Sequence, residues 1–225
     1  MATLNTLLVT GNSVNGTRAW ASQSYLDIDE GISGADGNVI SDNTNANATL
    51  VTSFLLGDTN SDFGDMIDLS WQIRYRVSGA QTNVRDLHIR IVKESDGTVL
   101  AAANSGGTFS LVEAGITSTT LGNSSVTSFA YVNTGASKSD WDDARVEIQL
   151  TVDRNMGGDA NGIEVDSLEM TGNYNIFVGP TMSNVKVNVG DVWKDGVDAW
   201  VNVGDTWKKV VDIWINVGDT WKKVT

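Results

Sequence analysis

The chain has 225 residues, with fifteen Lys and Arg against twenty-eight Asp and Glu, for a net charge of −13. Cysteine is absent, which excludes disulfides, thiolate metal sites and a thiol nucleophile. The acidic balance repels nucleic acid with no basic stripe to counter it, and no apolar run approaches the roughly twenty residues needed to span a bilayer.

Residues 1–9 lack a basic n-region and carry too short an apolar run for a secretory signal, so none is expected. From there to residue 175 the pattern is all-β. Leu69, Trp71, Ile73, Tyr75 and Val77 alternate with Ser70, Gln72, Arg74 and Arg76, which predicts a half-buried strand. Leu87, Ile89 and Ile91 alternate with His88 and Arg90, and Val146, Ile148, Leu150 and Val152 with Glu147, Gln149 and Thr151. Ile163, Val165, Leu168 and Met170 predict the closing strand. Runs of Gly, Asn, Asp, Ser and Thr at 57–65, 103–107 and 155–162 read as loops. No segment of helical period is long enough to predict a helix. Many short strands joined by regular loops predict a jelly-roll-like β-sandwich over 1–178. The only proline, Pro180, falls in a linker at 179–185.

The last forty residues, 186–225, repeat every fourteen. Val187-Asn188-Val189-Gly190-Asp191-Val192-Trp193-Lys194 returns as Val201-Asn202-Val203-Gly204-Asp205-Thr206-Trp207-Lys208, and again as Ile215-Asn216-Val217-Gly218-Asp219-Thr220-Trp221-Lys222. Five of the eight tryptophans lie here, Trp193, Trp200, Trp207, Trp214 and Trp221, spaced by seven. A heptad would suit a coiled coil, but Val, Ile, Asn, Thr, Trp and Gly are weak helix formers. The same residues suit strands, with Gly190-Asp191, Gly204-Asp205 and Gly218-Asp219 as hairpin turns. Placing the turn at Gly204-Asp205 predicts that Asn202 pairs with Trp207.

Fewer than three full copies are present, and units of such a repeat bury their apolar faces only against neighbours. Each Trp buries roughly 150–250 Å², worth about 4–6 kcal/mol gross. One or two hairpins have no second layer to receive five such rings. The economical solution is association of identical tails about a symmetry axis, with the five tryptophans as the oligomerisation element. The tail's six Lys and six Asp cancel, leaving nine basic and twenty-two acidic residues in 1–185. Self-association of the tail therefore meets no charge barrier. Folding of the tail back onto the preceding domain, and stacking of the tryptophans on sugar rings, are the two alternatives.

Other chemistry is thinly supported. His88 is the only histidine, sits on the polar parity of its strand and has no triad partner in view, against a Ser-His-Asp hydrolase. No pair among the twenty-eight acids is singled out by its context for a two-carboxylate glycosidase. Asp58, Asn60 and Asp62 place oxygen ligands at alternate positions, as calcium loops do, but Phe63 stands where an EF-hand needs Gly and Leu69 near where it needs a bidentate Glu. A solvated acidic turn has the same composition. Asp27, Asp29 and Glu30 form a second acidic cluster open to the same two readings.

The Asn-Val-Gly-Asp-Thr-Trp-Lys-Lys-Val repeats resemble the C-terminal repeats of structural proteins from tailed bacteriophages. The stretches at 69–77, 96–101, 141–152 and 163–174 are similar to a β-sandwich domain of phage and marine viral tail or appendage proteins. The resemblance covers most of the chain at the level of pattern. It implies a virion component, trimeric and in contact with other virion proteins; with no catalytic constellation singled out, the expected protein is non-enzymatic, without a cofactor and on the particle exterior. A long fibre would show an attachment region or a fibrous shaft, and this chain shows neither, so the implied role is a capsid decoration or a short tail fibre. The alternative is a carbohydrate-binding adhesin that contacts host surface glycan.

Overall fold

In the computed structural model the chain divides into two compact units, Met1–Ile176 and Phe177–Thr225. The structure describes residues 1–20, 23–42, 48–77, 84–153, 162–177, 186–189, 192–195, 200–203, 206–209, 214–217 and 220–223. Nearly all regular structure is β.

The first unit runs β1 (Ala2–Thr3), β2 (Leu7–Asn12), a 3-10 turn (Tyr25–Asp27), β3 (Ile40–Asp42), β4 (Ala48–Leu56), β5 (Phe63–Val77) and β6 (Val84–Lys93). It continues through β7 (Val99–Ala102), β8 (Ser110–Glu113), β9 (Gly122–Asn123), β10 (Thr127–Ser128), β11 (Tyr131–Val132), α1 (Lys138–Asp142), β12 (Ala144–Asp153) and β13 (Ile163–Ile176). All pairings are antiparallel, and the strands follow the order β10-β5-β13-β2-β4-β12-β6-β7-β11.

The sheet curls because β2 serves both halves. Leu7 and Leu8 pair with β13, whereas Val9, Gly11 and Asn12 pair with β4, with a register shift between Val9 and Gly11. A strand that changes neighbours at a bulge makes a corner. Inward residues of both halves then share one core. Leu69, Trp71 and Ile73 of β5 and Leu168 and Met170 of β13 join Phe54 of β4, Leu87, Ile89 and Ile91 of β6, and Val146, Ile148 and Leu150 of β12. The alternation read along these strands is thus the alternation of a core face.

Two expectations change in detail. The closing strand in sequence, β13, lies inside the sheet, paired with β5 along its length and with β1, β2 and β3 on its other side. Its inward residues change parity, from Ile163 and Val165 to Leu168 and Met170, because a register shift falls between Val165 and Ser167. The extra residue, Asp166, is buried together with Ser167. The loop expected at 57–65 is shorter, since β5 begins at Phe63, which pairs with Ile176. The one α-helix among the described residues, α1, is a single turn held by a capping box between Ser137 and Asp140. No helix among the described residues is long and apolar enough to cross a membrane.

The second unit holds six four-residue strands: β14 (Lys186–Val189), β15 (Val192–Asp195), β16 (Trp200–Val203), β17 (Thr206–Lys209), β18 (Trp214–Val217) and β19 (Thr220–Lys223). They form three separate two-stranded sheets, β14-β15, β16-β17 and β18-β19.

Candidate functional site

The three C-terminal ladders share one register. Val189 lies opposite Val192, Val203 opposite Thr206 and Val217 opposite Thr220, with two residues between the partners in each case. One step further out, Asn188 faces Trp193, Asn202 faces Trp207 and Asn216 faces Trp221. The pairing of Asn202 with Trp207 is the one expected from the spacing. The outermost pairs are Lys186 with Asp195, Trp200 with Lys209 and Trp214 with Lys223. Period-two alternation therefore puts positions 200 and 207 on one face of their ladder, and 214 and 221 on one face of theirs.

All five repeat tryptophans fall within strands: Trp193 in β15, Trp200 in β16, Trp207 in β17, Trp214 in β18 and Trp221 in β19. The turn residues Gly190, Asp191, Gly204, Asp205, Gly218 and Asp219 lie outside the described residues. The other three tryptophans, Trp20, Trp71 and Trp141, are buried in the first unit, where Trp71 packs on Phe129 at a ring separation of 4.5 Å.

Two of the three calcium candidates have protein partners. Asn60 Oδ1 accepts the Asn5 amide at 2.9 Å, and Asp62 Oδ1 accepts the Tyr174 hydroxyl at 2.6 Å, while Asp58 is exposed. Thr59, between them, is tied by its amide and hydroxyl to Asp142. Among the described residues no group of three or more His, Cys, Asp or Glu side chains could hold a metal ion. The acidic segment that begins with the last residue of the 3-10 turn is electrostatically loaded. Burial, then Asp36 and Asp29, push the Asp27 carboxyl above its ordinary value. The Glu30 carboxyl is raised chiefly by burial, with Asp36 adding to it.

The most elaborate polar arrangement of the first unit lies on the outer face of β4, β12 and β6, and the sequence did not announce it. Glu94 accepts from the Ser13 hydroxyl at 2.7 Å and from the amides of Val14 and Asn15 at 2.8 Å each. Arg145 bridges Glu94, at 3.3 Å, and Glu147 Oε1, at 3.0 and 2.9 Å. Glu147 passes the charge on to Arg90 at 2.7 Å, and Arg90 also bonds the Gly107 carbonyl and covers the Phe109 ring. Alternation assigned Glu147 to a solvent face, yet Glu94, Arg145 and Glu147 are all buried. Loops at 13–16 and 107–109, both bonded to the network, close over it. The available signal was the opposite charge of Arg145 and Glu147 two residues apart, which puts them on one face of a strand. Every charge in this chain of contacts has an opposite partner, which is the chemistry of a clasp.

His88 stands opposite Gln149 of β12 and Leu111 of β8. Burial pulls its imidazole below the ordinary value, against the pull of Asp86. It is half-buried, where the parity of its strand suggested solvent. Compared with known proteins, the chain matches no family model and no curated protein.

Proposed function

We propose that this chain is a non-enzymatic assembly protein, in which the β-sandwich of the first unit is displayed and the C-terminal repeats join copies together. The observation that carries the reading is the set of three two-stranded ladders, each of eight paired residues. A lone two-stranded ladder is marginal in water, and five tryptophans in three such ladders need a second layer. The charge distribution agrees: the repeats are neutral, and the −13 lies in residues 1–185, which keeps displayed units apart. The resemblance of the repeats to those of tailed-phage structural proteins makes the particle exterior the place of action, as a decoration or short fibre, with other virion proteins as neighbours. Avidity then lets several weak contacts act as one durable one.

The test is removal of residues 181–225. The first unit carries its own core, from Leu4 to Tyr174, so the truncated chain is expected to stay folded and become monomeric. Light scattering that finds the same assembly before and after truncation refutes the reading.

A glycan-binding adhesin draws on one observation, the Asn opposite a Trp in each ladder, since ring faces stack on sugars and amides bond their hydroxyls. In that case the tryptophans face water. Blue-shifted emission that resists iodide supports assembly, whereas red-shifted emission quenched by iodide, together with retention on host polysaccharide, supports the adhesin.

A further inference from the structure

We propose that the C-terminal ladders associate by backbone pairing along one particular edge, that of β16 and β18, against the same edge of a second copy of this chain. The proposal rests on the self-association reading above and adds how the copies meet.

The register decides which backbone groups are free to pair. With two residues between Val203 and Thr206, these close the connection, and a two-residue connection carries its turn hydrogen bond across that pair. In an antiparallel ladder, hydrogen-bonded and non-hydrogen-bonded pairs alternate. The Asn202–Trp207 and Trp200–Lys209 pairs are therefore the non-hydrogen-bonded ones, and their N–H and C=O groups point away from the ladder. Val201 and Lys208 spend theirs on each other. The same count applies to Asn216, Trp221, Trp214 and Lys223 in the last ladder. Among the described residues each of these strands has a single partner, so every ladder leaves two open edges. Open edges are templates for another strand.

The two edges of a ladder are not alike. Two copies of β16 brought together antiparallel about a two-fold axis at residue 201 would place Trp200 against the second copy's Asn202, and Val201 against itself. For β18, Trp214 would meet Asn216, with Ile215 against itself. Neither strand, Trp-Val-Asn-Val or Trp-Ile-Asn-Val, contains a charge. The opposite edges are Thr-Trp-Lys-Lys in both β17 and β19. The equivalent pairing there sets Lys208 against Lys208 and Lys222 against Lys222, at the closest cross-strand position, where like charges repel. Lysine on an edge is a recognised guard against pairing. The first ladder is built alike, with Val187 at the centre of β14 and Lys194 at the centre of β15, though β14 carries Lys186 where the others carry Trp.

One receptive edge and one guarded edge per ladder give an isologous contact, and the pairing closes on itself when β16 and β18 of one chain both meet the same second copy. Two receptive edges on a single ladder would let chains add without limit and form fibres. Pairing of this kind joins chains two at a time, so it yields an even-numbered assembly, where the resemblance implied a trimer. A foreign strand has no reason to match; the same edge in a second copy matches by symmetry, and the neutral repeats add no net repulsion.

The experiment uses the full chain and sedimentation equilibrium at low and high salt. Wild type is expected at an even multiple of the 24.1 kDa chain mass. Val201→Asp combined with Ile215→Asp sets acid against acid across the axis, while within each chain the new acids face Lys208 and Lys222 and the ladders keep their strands. The dissociation constant should rise at least about tenfold at low salt and recover at high salt. Asn202→Pro combined with Asn216→Pro removes the outward N–H donors together with the Asn side chains and should also weaken association at least about tenfold, with unchanged far-ultraviolet circular dichroism. Assembly of both variants at wild-type strength overturns edge pairing and leaves self-association standing, through the tryptophan faces. An odd-numbered wild-type assembly likewise overturns edge pairing alone. A monomeric wild type at all concentrations overturns both.

Discussion

Replacing Glu94 with Ala should cost the first unit about 3 kcal/mol. The carboxylate is buried and receives the Ser13 hydroxyl, two backbone amides at 2.8 Å and the Arg145 guanidinium at 3.3 Å. Hydrogen bonds to a charged group contribute about 1.5–3 kcal/mol each, and breaking a buried ion pair costs about 3–5 kcal/mol. The sum is not reached, for two reasons visible in the structure. Arg145 keeps Glu147 and the Glu94 carbonyl as partners. The Val14 amide belongs to an exposed loop tip that can turn to water. For a unit of this size, 3 kcal/mol corresponds to a fall in melting temperature of about 6–12 °C. Glu94→Gln, which keeps the shape and one acceptor, should lose about half as much, and Ser95→Ala, next to it but exposed, under about 0.5 kcal/mol.

The loss should also depend on pH. Burial pushes the Glu94 carboxyl up, but its donors outweigh this and hold it below the ordinary 4.5. A carboxyl whose value is depressed on folding contributes fully above its unfolded value and loses that contribution as pH falls through its folded one. The gap between wild type and Glu94→Ala should therefore be widest near neutrality and narrow below about pH 4.5. Thermal melts followed by circular dichroism across pH check both points. A shift under about 2 °C near neutrality, or a gap that does not narrow in acid, refutes the clasp.

Gly172→Ala should destabilise the unit by about 1–3 kcal/mol or more, because an added Cβ would run into the Asp68 carbonyl oxygen and both groups belong to the paired backbone of β5 and β13; urea titration of the variant checks this, and an unchanged midpoint speaks against the close approach. His88 should titrate below 6.5, since burial disfavours its charged form. Because its folded value lies below its unfolded one, stability is intact above about pH 6.5 and declines as pH falls through the folded value. Proton NMR of the single imidazole reads this directly, and a midpoint at or above 6.5 would contradict its burial.

The repeat tryptophans and the Asn202–Trp207 register were legible because a fixed period and a two-residue gap are local facts. The clasp was not, since Glu94, Arg145 and Ser13 are brought together across some eighty residues of chain and nothing local to any of them marks the others. Capping at Ser137 and Asp140 was written in the sequence as a Ser followed three residues later by an acid, but a helix of one turn has no periodicity to draw attention to it.

The β character of the chain and the inward face of β5, β6 and β12 could be read from the residues alone, because alternation with period two needs only neighbours along the strand. The neutrality of the repeats and the concentration of charge before them are likewise facts of composition. That β13 runs through the interior of the sheet, that β2 turns the corner between its halves and that Glu147 is covered emerge only from the folded chain. Strand order and the covering of a face are set by contacts between residues far apart in the chain, where alternation gives the same pattern whichever partner is chosen. The bulge at Asp166 makes the point at a single residue. The parity of the apolar residues changes there in the sequence, and the pairing with β5 shows the register shift by which the one strand expected over both halves keeps its apolar residues inward.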